Sequence, residues 1–277
     1  MPVDRLAGWA RRLTIAFAGL VFLAPLAYML AGALHEPGLP RPHGFDLIPA
    51  HPSLDSFDRA FATVDLGREL LNSLLVVAIA VPLTVLVASW AGFAMTRLSP
   101  RARRAMLAVS LLALMVPLSA LWVPRFVIFR ELGLTDTYVP LIAPALMGTT
   151  PLYVLLFYWS YRRIPGDLID AARLEGLGPL AIWRRVAMPL VRPTTFAVAT
   201  LAFLFYWGDF VGPLLYLDTP SRFTLPLGLN VLRGLAPSDA PVLLAGALVA
   251  TVPALIAFAA VQGRFLRSTR LAGWLGR

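Results

Sequence analysis

The sequence of 277 residues contains no cysteine and no lysine, and only 14% of its residues are charged. Without cysteine, the chain can form no disulfide, carry no thiolate nucleophile and hold no cysteine-ligated metal. Without lysine, it lacks the residue that a P-loop places on nucleotide phosphates, so it cannot be a standard P-loop ATPase. Soluble domains carry about 25% charged residues. The shortage of charge therefore excludes a soluble enzyme, and any ATP-driven activity needs a partner that hydrolyses the nucleotide.

The chain is instead rich in apolar residues, which make up 58% of it. A bilayer core about 30 Å thick needs about 20 apolar residues in a helix. Six runs are long enough, and they are continuous rather than alternating, which favours helices over barrel strands. The predicted fold is all-α and integral to the membrane. Its spans are Leu13–Leu34, Leu70–Thr96, Ala105–Phe126, Val139–Trp159, Thr194–Tyr216 and Pro241–Val261. The first run is too long for a signal-peptide core of about 7–15 residues, so we expect it to be retained.

Arginine placement predicts the orientation of these spans. The N-terminus, the loop 97–104, the loop 162–192 and the C-terminal tail carry a combined charge of +13. The opposite connections are neutral apart from His35–Glu69, which carries −3. Since the excess alternates along the chain, both termini are predicted to be cytoplasmic. The basic residues then serve as topology determinants at lipid headgroups, and nucleic acid is not an expected partner.

The largest outer connection, His35–Glu69, contains every histidine of the chain. These are His35, His43 and His51, spaced eight residues apart and without an accompanying carboxylate pattern. Recognisable metal sites use tighter ligand spacings. No metal or other cofactor is therefore predicted, and the role of these histidines stays open.

The connection between the fourth and fifth spans, residues 163–192, has a helical pattern of its own. Pro165 and Asp167 can start a helix, since proline fits its first turn and an acid favours its positive end. Gly176 and Gly178 permit the left-handed backbone that ends one. Pro179 can begin a second short helix. The pattern predicts two short helices that meet at a glycine turn and form a compact knob at the membrane surface.

Each helix of this knob has a predicted face. Positions i, i+3, i+4 and i+7 place Leu168, Ala171, Ala172 and Glu175 together on the first helix, where small side chains suit close docking against another protein. The second helix would end before Pro189 and have an apolar face of Leu180, Trp183, Val186 and Ala187. The alternative is an amphipathic connector that lies on the headgroups.

The loop resembles the EAA loop of ABC-importer permeases, which reads roughly E-A-A-x-x-D-G-A before further apolar residues and a Leu-Pro pair. The matching positions are Asp170-Ala171-Ala172, Glu175-Gly176, Trp183, Val186, Met188-Pro189, Leu190 and Pro193. An aspartate replaces the first glutamate, a glutamate the usual aspartate, and Leu177 a small residue. The resemblance implies a coupling helix in a cleft of a cytoplasmic ATPase. It assigns ATPase coupling to Asp170, Ala171, Ala172, Glu175, Gly176 and Trp183.

Other segments, in the same order, resemble the second permease of maltose- and glycerol-3-phosphate-type importers. They are Asn72-Ser73-Leu74, 91–98, 115–117, 132–138, 207–210 with 213–214, 224–229 and 262–265. The resemblance implies a transporter transmembrane domain over residues 13–277, after a cytoplasmic N-terminus at 1–12. Its implied partners are an ABC ATPase dimer, a second permease in a heterodimer, an extracytoplasmic solute-binding protein and membrane lipid. The implied substrate is a sugar or sugar derivative, and a polyol or glycerol-phosphate is the alternative.

Polar residues within the spans are candidates for the translocation path. Asp209 is the clearest, because a charged side chain at the bilayer centre costs about 2.5–3.5 kcal/mol on insertion scales. The candidates are Thr149, Thr150, Tyr206, Trp207, Asp209 and Phe210. Aromatic rings and a carboxylate are groups that sugars contact. The alternative is structural: Asp209 pairs with an arginine or a helix terminus.

Two other classes of membrane protein fit less well. An intramembrane serine or zinc protease needs a histidine within a span, and an aspartyl protease needs a second carboxylate there. A secondary transporter usually has more spans and several intramembrane ionisable groups. The sequence therefore predicts a transport subunit without enzymatic activity of its own.

Overall fold

The computed structural model describes residues 2–40, 49 and 51–272, and in this part of the chain every regular element is helical. The all-α prediction is confirmed there. The first half contains α1 (Pro2–Ala33), α2 (Asp55–Thr63), α3 (Leu66–Arg97), α4 (Pro100–Leu114), α5 (Trp122–Glu131), α6 (Val139–Ile142) and α7 (Pro151–Tyr161). The second half contains α8 (Gly166–Leu174), α9 (Pro179–Ile182), α10 (Met188–Leu190), α11 (Arg192–Trp207), α12 (Val211–Tyr216), α13 (Leu225–Leu235) and α14 (Ala240–Ala272).

Four stretches are long and apolar enough to cross a membrane, namely Arg11–Ala33, Leu66–Arg97, Val139–Tyr161 and Ala240–Ala260. Two further candidates are bent helix pairs, Pro100–Leu114 with Leu118–Glu131 at 91° and Pro179–Leu190 with Arg192–Trp207 at 86°. The described residues thus hold four to six candidate spans. Bilayer-crossing segments need not be straight where protein satisfies the freed backbone groups.

The third and fifth predicted runs are not single straight helices. Pro117 lies at the bend of the third, where its ring disfavours a helical conformation for the preceding residue. The fifth run divides after Trp207, where Gly208 is a weak helix former, and a new helix begins at Val211. The Asp209 Oδ1 atom accepts a hydrogen bond from the Gly212 amide at 3.0 Å, as a capping residue does.

Described residues within Arg68–Leu227 and Ala254–Arg277 form one compact unit. Its main core joins α3, α7, α11 and the segment around Trp183. Gly92 lets α3 approach α7, since a Cβ there would lie 2.8 Å from both the Phe157 Cβ and the Tyr158 amide nitrogen. Small residues permit such close backbone contact between membrane helices. This core is the support on which the loop after α7 rests.

Described residues within Met1–Gly67 and Gly228–Pro253 form a second unit. Here the Ser56 hydroxyl donates to the His35 carbonyl at 2.7 Å, and Arg59 forms a 3.5 Å salt bridge with Asp239. Among the described residues no three His, Cys, Asp or Glu side chains are grouped as metal ligands, and His43 lies outside the described residues. These contacts tie α2 to His35 and to the residue before α14.

Candidate coupling loop and polar sites

The loop after α7 forms the predicted knob, and its turn is a complete helix-ending motif. Gly176 adopts φ +80°, as predicted. The Leu177 amide donates to the Ala172 carbonyl at 3.1 Å and the Gly176 amide to the Arg173 carbonyl at 2.9 Å. This pair of bonds is the Schellman motif, which favours glycine in the left-handed position. Gly178 has φ −70° and does not share that role.

The two faces of α8 differ from the predicted arrangement. Ala172 is only 6% exposed and packs with Ile169 and Ile182 inside the knob. Leu168, Ala171 and Glu175 are exposed, so the predicted face is divided. Ala172 lies one turn from Ile169, and this i, i+3 pair forms the inner stripe. Ala172 therefore supports the knob from within and is not available to a docking partner.

We define the outer face as the exposed surface that α8 and its C-cap form with Leu168, Ala171, Leu174 and Glu175. Leu174 is 91% exposed, although the sequence interpretation did not single it out. Leu174 lies three residues after Ala171, and this spacing could have predicted that the two share a face. Asp170 is also exposed and forms a 3.0 Å salt bridge with Arg173. Such an exposed pair contributes about 0–1 kcal/mol, so a partner could displace it.

The second helical segment of the knob is an anchor. Trp183 is 8% exposed and meets Trp90 of α3 edge-to-face, with ring centroids 5.4 Å apart. Ala187 is fully buried in the core of α3, α7 and α11. Trp183 was assigned to ATPase coupling by resemblance, and the structure places it against the spans rather than on the outer face.

A π-helical turn, Trp183–Ala187, connects α9 to α10 and carries the helix through Pro189 to Leu190. The segment was predicted to end before Pro189, which is wrong. Proline lacks an amide hydrogen and its ring crowds the carbonyl four residues earlier. In the wider turn the Met188 amide donates to the Trp183 carbonyl, five residues back. The proline is thus accommodated without ending the segment.

The predicted path residues separate into three groups. Thr149 and Tyr206 come together, since their hydroxyl oxygens lie 2.7 Å apart, and the Thr84 hydroxyl lies 2.6 Å from Thr149. Thr149 has φ +62°, which is rare for a β-branched residue, and these two hydrogen bonds hold it there. Thr84 was missed because it lies in a span without a charge or motif to mark it. This buried triad joins α3, the start of α7 and α11.

Three further candidates, Thr150, Trp207 and Phe210, lie at or near helix ends. The Thr150 hydroxyl accepts from the Leu152 amide at 3.4 Å and caps α7. Trp207 stacks on Phe203, with ring centroids 5.6 Å apart. Phe210 precedes α12 and is partly buried.

Asp209 lines a separate cavity of about 160 Å³. Arg125 lines the same cavity, and its guanidinium donates to the Pro140 carbonyl at 3.4 Å. The aromatic walls are Trp122, Phe205 and Tyr216, rather than the predicted Tyr206, Trp207 and Phe210. Arg125 was not among the predicted path residues. Its charge at the end of the third apolar run could have indicated it as a residue that shares a site with Asp209. A carboxylate, a guanidinium and aromatic faces in one cavity can bind a polyhydroxylated ligand.

Asn72-Ser73-Leu74, one of the segments that resemble importer permeases, contacts the backbone of residues 221–225. The Asn72 side-chain amide donates to the carbonyls of Ser221 and Phe223 at 3.1 and 2.9 Å. The Ser73 hydroxyl accepts from the Leu225 amide at 2.8 Å. Side chains at the start of α3 thereby fix the backbone that leads into α13.

A second clamp, centred on Asp136, holds the same connection. Its carboxylate accepts from the Thr219 hydroxyl at 2.7 Å, from the amides of Asp218 and Thr219, and from Arg222 at 2.8 Å. The hydrogen bonds from Thr219 are the main cause that lowers the pKa of Asp136 to about 2. Charge-assisted hydrogen bonds of this kind favour the ionised carboxylate.

Comparison with known proteins identifies the family. Residues 67–270 match the model of the binding-protein-dependent transport system inner membrane component. The chain belongs to this family, whose members are transport permeases of the inner membrane.

Two relatives are permeases of the same kind, and one solved structure has the same fold. The chain is 31% identical to the arabinooligosaccharides transport system permease protein AraQ of Halalkalibacterium halodurans, covering 95% of this chain and 96% of that protein. It is 30% identical to the trehalose transport system permease protein SugB of Mycobacterium tuberculosis, over 79% of this chain and 81% of that protein. A bacterial ABC transporter involved in the import of the acidic polysaccharide alginate shares the fold. Its TM-score is 0.74 at 18% identity, over 96% of this chain and 98% of that one.

Proposed function

We propose that this member of the binding-protein-dependent permease family is one of two permease subunits in an ATP-driven importer of a carbohydrate. A sugar oligomer or sugar derivative is the proposed substrate, since relatives over most of the chain are named for arabinooligosaccharides and trehalose. A cytoplasmic ATPase dimer, a second permease and an extracytoplasmic binding protein complete the assembly. The structural feature that best supports this proposal is the knob, because it has an exposed outer face and a buried attachment to the spans.

The proposed coupling step follows from that division. The outer face of α8 docks on the ATPase, and Leu168, Ala171 and Leu174 supply its apolar contacts. Ile169 and Ala172 pass a displacement to Ile182, and Trp183 passes it to Trp90 of α3. Because packed interiors are dense and poorly compressible, the knob would move with the spans rather than deform.

Contacts among the connections support six spans with alternating sides. Asp136, between the third and fourth spans, bonds to Thr219 after the fifth. Arg59, between the first and second, pairs with Asp239 before the sixth. On the other set of loops, Arg97 and Arg162 line one cavity. These pairings are the ones that six alternating spans require, and the arginine excess favours cytoplasmic termini.

The Asp209 cavity is the proposed carbohydrate contact of this subunit. Trp122 and Tyr216 offer faces for a sugar ring, and the charged groups of Asp209 and Arg125 offer hydrogen bonds to its hydroxyls. The buried triad of Thr84, Thr149 and Tyr206 is proposed to hold the helices together, because its hydroxyls bond to one another.

Docking is tested with the tagged full-length chain, expressed with its partner subunits and purified from membranes. We expect Leu168→Arg, on the outer face, to lose the ATPase while the chain still inserts. Leu180→Arg is the matched control, because Leu180 is an exposed leucine of the same loop outside α8. Equal ATPase retention by both variants would overturn the docking assignment.

A further inference from the structure

A cavity of about 280 Å³ lies where α3 and α7 end and α4 and α8 begin. Three arginines line it, namely Arg97, Arg103 and Arg162. The one carboxylate in the lining, Asp170, already forms a salt bridge with Arg173. The cavity therefore carries an excess of positive charge.

In the described part of the chain, the three guanidinium groups lie beyond salt-bridge distance of any carboxylate, and the charge of Asp170 acts on Arg97 only from a longer distance. No salt bridge there involves Arg97, Arg103 or Arg162. Arg97 is held over the ring of Phe93 at 5.0 Å, and Arg162 over Tyr158 at 6.0 Å. Cation–π contacts position a guanidinium without using its donors. The donors thus remain available to a ligand.

We propose that this cavity binds a phosphate group, supplied by the headgroup of an anionic phospholipid. Arginine offers a planar fork of donors that matches phosphate oxygens, and several forks around one cavity suit a tetrahedral anion. Apolar side chains of Phe93, Ile164 and Ile169 also line the cavity, which suits a diester attached to a lipid rather than a fully hydrated ion.

The position of the cavity favours the membrane as the source. Arg97 is the last residue of the long apolar helix α3, and Arg162 directly follows the apolar stretch Val139–Tyr161. Arginines at such helix ends lie at headgroup depth. Juxtamembrane basic residues attract anionic lipids by about 1 kcal/mol each, which is about fivefold in affinity.

An occupant would also touch α8, since Gly166, Ile169 and Asp170 complete the wall. It would link the start of the coupling helix to the ends of α3 and α7. That anionic lipid would stabilise the coupling helix is a consequence that rests on the proposed function. The binding of the lipid to this cavity does not depend on the proposed function.

The test uses the purified full-length chain in detergent and measures the midpoint of thermal unfolding. Phosphatidylglycerol and phosphatidylcholine with the same acyl chains are titrated in parallel, and inorganic phosphate is titrated at constant ionic strength. We expect phosphatidylglycerol to raise the midpoint more than phosphatidylcholine. Arg103→Gln and Arg97→Gln should each raise the phosphatidylglycerol concentration needed for half of this shift about fivefold. Arg104→Gln is the control, because it is an exposed arginine of α4 outside the cavity.

The outcomes separate the sources of phosphate. An arginine-dependent shift with inorganic phosphate alone would retain the phosphate site and overturn the lipid source. Equal responses to the two lipids, or equal losses in Arg103→Gln and Arg104→Gln, would overturn the proposal. If Arg103→Gln does not fold, Arg162→Gln gives the same comparison, with bound lipid counted by native mass spectrometry. A chain that binds the lipid but recruits no ATPase would refute the coupling role and leave the cavity assignment intact.

Discussion

The two helical segments of the loop 163–192, α8 and Pro179–Leu190, differ in what they bury. The helix α8 exposes most of its length and buries only Ile169 and Ala172. The segment from Pro179 to Leu190 instead places Trp183 and Ala187 in the core of the spans. Under the proposed function, α8 is the docking half of the loop and the segment Pro179–Leu190 is its anchoring half. Substitutions in the first should affect partner binding, and those in the second should affect folding.

The largest expected effect is on the anchoring half. Trp183→Ala removes a buried ring that meets Trp90, and such truncations lower the free energy of unfolding by about 3–5 kcal/mol. We expect a clear fall in the thermal unfolding midpoint of the purified chain. Trp159→Ala is the matched control, since Trp159 is 52% exposed and should have a small effect. Similar midpoints for the two variants would remove the distinction between the halves.

The turn between the halves gives the next largest effect. Gly176 has φ +80°, and a Cβ there would meet no atom within 4 Å. Gly176→Val is therefore disfavoured by backbone strain of about 1–3 kcal/mol and not by a clash. We expect normal insertion with impaired ATPase recruitment or uncoupled ATP hydrolysis.

Gly178 offers an exact control for that substitution. It also has open space around it, but its φ of −70° suits any residue. Gly178→Val should transport normally, and Gly176→Asn should recover part of the activity because asparagine tolerates the left-handed region. Wild-type transport by Gly176→Val would identify the loop as a plain connector.

The sequence predicted the knob well because its shape depends on local rules. Pro165, Gly176 and Pro179 act within a few residues of themselves, so their spacing predicted both helices and the turn. The side of α8 that faces inward depends on Ile182, which comes from another segment. Local periodicity could not distinguish Ala171 from Ala172, since both belong to the same predicted face.

The intramembrane sites were harder to predict, because tertiary packing assembles them. Asp209 was identified from its charge, but its cavity partners come from α5, the segment around Pro140 and α12. Thr84 and Thr149 are 65 residues apart and no motif connects them. The bend at Pro117 and the end of α11 at Trp207 also divide runs that hydropathy alone treats as continuous.

A smaller effect on stability, with a larger one on uptake, is expected at Asp209. Asp209→Asn keeps the size and the acceptor for the Gly212 amide, and it removes the charge. We expect uptake to fall about tenfold while assembly persists, consistent with loss of a charged hydrogen bond. Thr149→Val is the comparison: it breaks the buried triad and should lower unfolding stability by about 1 kcal/mol. Failed assembly of Asp209→Asn would make the residue structural.

The smallest effect is expected from two ion pairs in different loops, Asp136 with Arg222 and Asp170 with Arg173. Asp136 has a pKa of about 2, below the unfolded value of about 3.9. Its contribution to stability is therefore complete above pH 4 and is lost as pH falls toward 2. We expect Asp136→Asn to flatten the fall in unfolding midpoint over this window. Asp170→Asn is the control, because that carboxylate has a single exposed partner, Arg173.

Since the Asp136 clamp fixes the backbone before α13 through four donors, its loss should also loosen the connection 216–222, which limited proteolysis would detect at neutral pH. An unchanged acid profile in Asp136→Asn would show that the clamp adds no stability, whatever its geometry.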